Sequence, residues 1–150
     1  MSSKTNLPRR PGIRRRGSAV CVDDGRVLMV RLKDPHTKVE FLSPPGGAVD
    51  ENESPLEAAI RETREETGYD VRPVANAPTS IAKYEFEWNG AINLCETTFY
   101  LCELVSAKPQ DVVSEPTYVL GMEWIPLEQI RSTLSYHKDI QNAVLKLLER

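Results

Sequence analysis

The sequence predicts an α/β fold, and three observations predict it. A helix with both ends marked is written into Ser54 to Gly68. Two turn signals, Asp23-Asp24-Gly25 and Asn89-Gly90, each join a pair of extended runs. A second amphipathic run spans Tyr136 to Glu149. With 150 residues, 40% of them hydrophobic and 27% charged, the make-up is that of one globular domain with a sizeable core.

Taken in order, Met1 to Gly12 is polar, basic and broken by Pro8 and Pro11, so it reads as a mobile arm. It lacks the apolar core of a secretory signal, and its prolines spoil the helix of an organelle presequence. Ser18 to Val22 and Arg26 to Leu32 read as strands around the Asp23-Asp24-Gly25 turn. Val39 to Leu42 is a short extended piece. In Ser43-Pro44-Pro45-Gly46-Gly47, proline fixes φ and glycine permits positive φ, which predicts a tight turn. The helix follows. Ser54 is its N-cap, Pro55 suits its first position, Glu57 completes a capping box, and Gly68 stops it in the left-handed conformation. Leu56, Ala59, Ile60 and Thr63 recur at helical spacing and face a core.

Beyond the helix, Asp70 to Val74 reads as a strand. Ile81 to Trp88 alternates, with Tyr84, Phe86 and Trp88 on one side and Lys83, Glu85 and Glu87 on the other. Aromatics at this spacing read first as sheet cover. Cys95 to Val105 returns as the partner strand, and Ser106 to Pro116 is a loop. Glu123-Trp124-Ile125 is a last short strand. Pro126 to Arg131 and Tyr136 to Glu149 are helical, the latter burying Ile140, Val144, Leu147 and Leu148.

Composition narrows the chemistry. A net charge of -3 gives no general affinity for nucleic acid, although Lys4, Arg9, Arg10, Arg14, Arg15 and Arg16 all precede the first acid, Asp23. Three cysteines without a CxxC pair point to reduced thiols and a cytoplasmic setting. Two histidines, His36 and His137, supply neither a zinc cluster nor a Ser-His-Asp triad well. No apolar run is long enough for a membrane span.

The capped helix carries the chemical signal. Glu62, Glu65 and Glu66 fall at i, i+3 and i+4, so their carboxylates crowd one patch. Glu65 and Glu66 also stand at the negative end of the helix dipole. Arg61 offsets only part of this charge, by pairing with Glu65 or Glu53. A hard divalent cation with oxygen ligands reverses the balance. Two adjacent glycines just before the helix let a backbone carbonyl approach a bound ion.

These residues fit one pattern, G-x5-E-x7-R-E-U-x-E-E-x-G-U with U a bulky apolar residue, at Gly47, Glu53, Arg61, Glu62, Glu65, Glu66 and Gly68. The stretch resembles the signature of the Nudix hydrolases. Seven fixed matches arise by chance on the order of once in 10⁸ starting points, which makes the resemblance specific. Thr63 stands where an aliphatic residue is usual, and Tyr69 fills the final apolar position. The flanking order is similar too: a strand pair before the box, Pro-Gly-Gly leading into it, and Trp124-Ile125-Pro126-Leu127 opening the last helical region.

The resemblance implies an α/β/α sandwich around a mixed β-sheet, with the box as a loop-helix-loop. Residues 1–16 would be a flexible basic arm and 17–150 the Nudix domain. The activity it implies is hydrolysis of a nucleoside diphosphate linked to another group. By position, Glu62, Glu65 and Glu66, with the Gly46 carbonyl, would bind Mg²⁺ or Mn²⁺. Glu53 and Arg61 would form a salt bridge that orders the loop. Glu65, Glu62 or Glu115 would be the catalytic base. Tyr84, sixteen residues past Gly68, resembles the tyrosine of dinucleoside polyphosphate hydrolases, and with Arg16 it is a candidate substrate contact. A nucleoside polyphosphate or dinucleoside polyphosphate is therefore favoured; an ADP-ribose-type substrate stays open. The alternatives are an RNA 5′ end, with the arginines as tether, and a non-catalytic nucleotide-binding regulatory domain. Self-association into a homodimer is also left open.

Overall fold

The computed structural model describes residues 6–112 and 116–149. Its strands form one mixed sheet: β1 (Arg9–Asp23), β2 (Arg26–Lys33), β3 (Glu40–Ser43), β4 (Gly46–Ala48), β5 (Val71–Pro73), β6 (Thr79–Trp88), β7 (Ala91–Leu104) and β8 (Val119–Pro126). The helices are α1 (Pro55–Thr67), α2 (Ile130–Thr133) and α3 (Lys138–Leu148), with a 3₁₀ turn at Leu127–Gln129. The strand order is β3-β2-β1-β7-β5; β4 pairs with β1, β6 with β7 and β8 with β2. The central pair, β1 and β7, runs parallel, matching Ile13 with Leu94 through Cys21 with Cys102.

Strand alternation sends neighbouring residues to opposite faces, and each face finds its own helix. Val20, Cys95, Phe99 and Leu101 meet Ile140, Val144 and Leu147 of α3. Ala19, Cys21 and Cys102 meet Ala59 of α1, with Tyr69 and Leu28. The result is the α/β/α sandwich. All three cysteines are free and buried, and burial pushes the Cys21 and Cys102 thiols up to about 12. Among the described residues no helix is long and apolar enough to cross a membrane.

The local signals hold where their determinants are local. Ser54 Oγ accepts from the Glu57 N–H while the Glu57 carboxylate accepts from the Ser54 N–H, and Gly68 closes α1 at φ 82°. Asn89 and Gly90, at φ 51° and 78°, make the predicted two-residue turn between β6 and β7. Thr63 is fully buried, yet its hydroxyl donates to the Ala59 carbonyl at 2.7 Å, so a polar residue fits the packed face.

Two expectations need correction. The stretch 1–16 is not an arm as a whole. Residues 1–5 lie outside the described residues, but Arg9–Arg16 form the first half of β1, bonded to β7. The long β7 presents an open edge that this segment fills. Pro11, which has no N–H to give, sits in a bulge that the left-handed Gly12 (φ 80°) makes possible. The second concerns Pro-Gly-Gly. Gly46 and Gly47 do not adopt positive φ; they begin β4 and pair with Ser18 and Gly17. Their requirement is space. A Cβ on Gly46 would lie 2.5 Å from the Gly17 carbonyl oxygen, and one on Gly47 would lie 1.9 Å from Glu62 Oε2.

Candidate active site

The site starts from the packing of α1 against β4. Because Gly47 has no side chain, the Glu62 carboxylate lies directly against its backbone. The ladder with β1 uses the Pro45 carbonyl for Ala19 and the Val49 N–H for Arg15. That register turns the polar groups of Gly46 and Ala48 away from β1 and toward α1. Accordingly the Gly46 N–H donates to Glu66 Oε1 at 3.0 Å, and the Ala48 carbonyl accepts from Arg61 Nη2 at 3.0 Å.

The three glutamates differ in environment. Glu66 is 8% exposed, and burial pushes its carboxyl up to about 8, with Glu62 adding to the rise and the Gly46 N–H opposing it. Glu62 is raised as well, chiefly by burial and then by Glu65, against the pull of Arg61. Glu65 is half exposed and turned toward Arg61, whose Nη1 donates to its two oxygens at 3.2 and 3.3 Å.

Arg61 is the hub of the loop before the helix. Its Nε donates to Glu53 Oε2 at 2.8 Å and its Nη2 to Glu53 Oε1 at 3.0 Å, a bidentate pair. Glu53 also accepts from the Asp50 N–H at 2.9 Å. The Arg61 guanidinium holds the Glu53 carboxyl down at about 2.

The acidic corner opens into a cleft of about 250 Å³. Arg14 and Arg16, two apart on β1, share the strand face that lines it. Arg14 Nη1 donates to Asn93 Oδ1 at 3.1 Å, and Asn93 Nδ2 donates to the Phe86 carbonyl at 3.3 Å. The far end is aromatic. Phe41 stands edge-on to Trp88 with centroids 6.1 Å apart, and Trp88 edge-on to Tyr118 at 5.3 Å. Tyr136 packs on Phe41 at 5.1 Å and donates its hydroxyl to the Leu42 carbonyl. Tyr84 is 7% exposed; its ring forms part of the lining while its hydroxyl shares a hydrogen bond with Thr97.

Of the residues singled out from the sequence, Glu62, Glu66, Gly46, Arg16 and Tyr84 line this one cleft. Glu65, Glu53 and Arg61 stand at its acidic edge. Glu115 lies outside the described residues. Sequence reasoning missed Arg14, Asn93, Phe41, Tyr118 and Tyr136, and took Phe86 and Trp88 for sheet cover. The i, i+2 spacing of Arg14 and Arg16 was a usable signal once the segment is known as a strand. It also missed Asp34. This residue is 5% exposed, and its Oδ1 accepts from the N–H groups of His36, Thr37 and Asn89 at 2.8, 3.3 and 3.2 Å. Asp34 thereby ties the β2–β3 loop to the β6–β7 turn, and so ties the wall carrying Phe41 to the wall carrying Trp88.

The donor set suits a hard divalent ion. Glu66 is buried and Glu62 half-buried, burial raises both despite Arg61 beside Glu62, and oxygen ligands are what Mg²⁺ or Mn²⁺ takes. Among the described residues no three acidic, His or Cys side chains stand converged on one point. Glu65 stands beside Glu62 but is engaged by Arg61, and Glu66 is held by the Gly46 N–H.

A mixed sheet between helices, with a capped acidic helix against a glycine strand at one end of a cleft, defines an α/β domain with an acidic corner suited to a divalent ion. The family follows from comparison: the NUDIX domain model matches residues 13–148, and the chain belongs to the Nudix family of hydrolases. It is similar to an RNA pyrophosphohydrolase of Pelagibacter ubique (strain HTCC1062), 26% identical over 97% of this chain and 98% of that one. Its fold matches a NUDIX hydrolase from Nitrosomonas europaea with TM-score 0.63 and 24% identity, covering 92% of this chain and 87% of that one. It also matches a MutT NUDIX hydrolase from Burkholderia pseudomallei with TM-score 0.61 and 24% identity, covering 92% and 99%.

Proposed function

We propose that the chain is a divalent-cation-dependent pyrophosphohydrolase that cleaves a nucleoside diphosphate linked to a further group, with nucleoside polyphosphates and dinucleoside polyphosphates as the favoured substrates. One observation carries this reading. Half-buried Glu62 and buried Glu66, both raised by burial, lie at one end of a cleft whose other end is aromatic and whose wall carries Arg14 and Arg16. Such a cleft matches a molecule with a planar base at one end and a polyphosphate at the other.

Glu62, Glu65 and Glu66, with the Gly46 carbonyl, would hold Mg²⁺ or Mn²⁺. When bound, the ion supplies charge neutralisation at the phosphoryl oxygens and acidifies a bound water. The remaining work falls to the chain. Arg16 and Arg14 hold the phosphate chain in register along β1. Arg61, braced by Glu53, keeps the β4–α1 loop in place through the Ala48 carbonyl. Glu65 or Glu62 takes the proton of the attacking water, with Glu115 as the third candidate base. Tyr84 supports the cleft floor through its ring.

The test is formation of the nucleotide product and its partner (pyrophosphate, a second nucleotide or ribose 5-phosphate), resolved by chromatography, from a panel of nucleoside triphosphates, dinucleoside polyphosphates and ADP-ribose, with Mg²⁺ and with Mn²⁺. Wild-type turnover that Glu65→Gln reduces by about 100-fold or more supports the assignment. Equal turnover by wild type and variant, or turnover in EDTA, sinks it. A second reading has its own support. The relative from Pelagibacter ubique is named for RNA, and β1 carries Arg9, Arg10 and Arg15 as exposed residues outside the cleft lining, Arg9 paired with Glu85 and Arg15 with Glu96. On that reading the substrate is a triphosphorylated RNA 5′ end, and its binding weakens steeply with salt.

A further inference from the structure

Helix α3 opens on an unusual cap. Ser, Thr, Asp or Asn is the ordinary residue at such a position. Here it is His137, whose Nδ1 accepts from the Ile140 N–H at 3.4 Å. The other ring nitrogen, Nε2, lies 2.9 Å from the Glu85 carbonyl oxygen of β6. A carbonyl oxygen only accepts, so Nε2 carries the hydrogen. One form of the ring, neutral with its hydrogen on Nε2, makes both bonds. Among the described residues β6 pairs only with β7, so the bond to Glu85 fills part of an open strand edge. The ring is also packed, against Tyr84 with centroids 4.8 Å apart and against Phe86 at 5.7 Å.

His137 is absent from the cleft lining, but residues it controls are present there. Ile140, whose N–H the ring accepts, lines the cleft, and so does Tyr136, the residue before the cap. Tyr136 donates its hydroxyl to the Leu42 carbonyl of β3 at 2.8 Å. Two adjacent side chains therefore bond two strands, Tyr136 to β3 and His137 to β6, and so tie the wall carrying Phe41 to the wall carrying Phe86. Apolar packing of Ile140, Val144 and Leu147 on the sheet is non-directional and does not fix where along its axis α3 begins. The polar bonds do. We infer that His137 is a positioning residue for the cleft: by capping α3 and bonding to the β6 edge, it holds Tyr136 and Ile140 in the wall against which substrate binds. This rests on the reading of the cleft as the substrate site. The role belongs to binding, since His137 touches no reacting group.

The experiment has a spectroscopic arm and a kinetic arm. The chain has two histidines, His137 and the exposed His36, so ring ¹⁵N NMR of the wild type in EDTA is assigned with one variant, His36→Gln. The His137 Nε2–H should appear as a cross-peak protected from solvent exchange, with Nδ1 bare. A hydrogen on Nδ1, or no protected Nε2–H, overturns the inference. The kinetic arm compares two variants on the compound of the substrate panel that the wild type cleaves fastest. His137→Ala loses both bonds and should melt about 2–4 °C lower. Its KM should rise about threefold or more, with kcat within about twofold of wild type. His137→Asn keeps an oxygen for the cap but is too short to reach the Glu85 carbonyl as well. It should recover the melting temperature and still show the raised KM. An unchanged KM in His137→Ala overturns the inference, and so does a wild-type KM in His137→Asn, which would make His137 a cap and nothing more. If the wild type cleaves no compound of the panel, the hydrolytic reading falls, and the Kd of ATP measured in EDTA takes the place of KM in the same comparison; a wild type that does not bind ATP either ends the positioning role too.

Discussion

Replacing Glu66 by glutamine should make the metal-free protein more stable at neutral pH and less stable in acid. The wild-type carboxyl is 8% exposed and pushed from 4.5 to about 8 by burial and by Glu62. Its folded pKa lies above its unfolded one, so the native state binds the extra proton. The folded state therefore carries no penalty below pH 4.5 and loses stability as pH rises from 4.5 to about 8. At pH 7 the loss is 1.36 kcal/mol for each of two and a half units, about 3 kcal/mol. The glutamine of the Glu66→Gln variant keeps the oxygen that accepts from the Gly46 N–H but adds a buried amide donor, which costs about 1 kcal/mol. The net gain at pH 7 is about 2 kcal/mol, or about 4–8 °C in Tm for a chain of this size. Below pH 4.5 only the amide cost remains, and the variant should melt about 2–4 °C lower than wild type. The assay is thermal unfolding of both proteins in EDTA across pH 4 to 8, followed by circular dichroism. A Tm difference that does not change sign with pH would refute the reasoning, because it would mean that Glu66 is not a buried acid short of positive charge. Adding Mg²⁺ at pH 7.5 should then raise the wild type and leave the variant nearly unmoved.

Three further outcomes follow from particular contacts. Gly47→Ala puts a methyl 1.9 Å from Glu62 Oε2, so it should displace that carboxylate, cost about 1–3 kcal/mol in urea unfolding, and abolish turnover; an unchanged kcat would show that Glu62 need not lie against β4. Arg61→Ala frees Glu53 and Glu65 together, and should lower both Tm and kcat/KM, the latter by about tenfold or more; a loss confined to stability would make the brace purely structural. Asp34→Ala removes the acceptor of three backbone N–H groups, which should destabilise by about 2 kcal/mol and raise KM while leaving kcat near wild type; Asp34→Asn, which keeps an acceptor oxygen, should restore most of the affinity.

What was legible from the residues has a common character: its causes lie within a few positions of one another. The ends of α1 follow from Ser54, Pro55, Glu57 and Gly68, each acting on its own turn of backbone. The β6–β7 turn follows from Asn89-Gly90, whose positive φ angles need no distant partner. The clustering of Glu62, Glu65 and Glu66 follows from helical spacing. These were enough to mark the fold class and the family signature.

Tertiary structure decided the rest, because it depends on which surface lies opposite. Arg9–Arg16 became strand and not arm because β7 offered it an edge. Gly46 and Gly47 matter for the space beside Gly17 and Glu62, not for their φ angles, and no local pattern records a neighbour from another element. Burial alone separates the buried Glu66 from the half-exposed Glu65, although the two are adjacent in the chain. The aromatic slot joins Phe41, Trp88 and Tyr118 from three strands or their ends. Sequence encodes the charges and the turns; the free energy of placing them, through burial and pairing, belongs to the assembled fold.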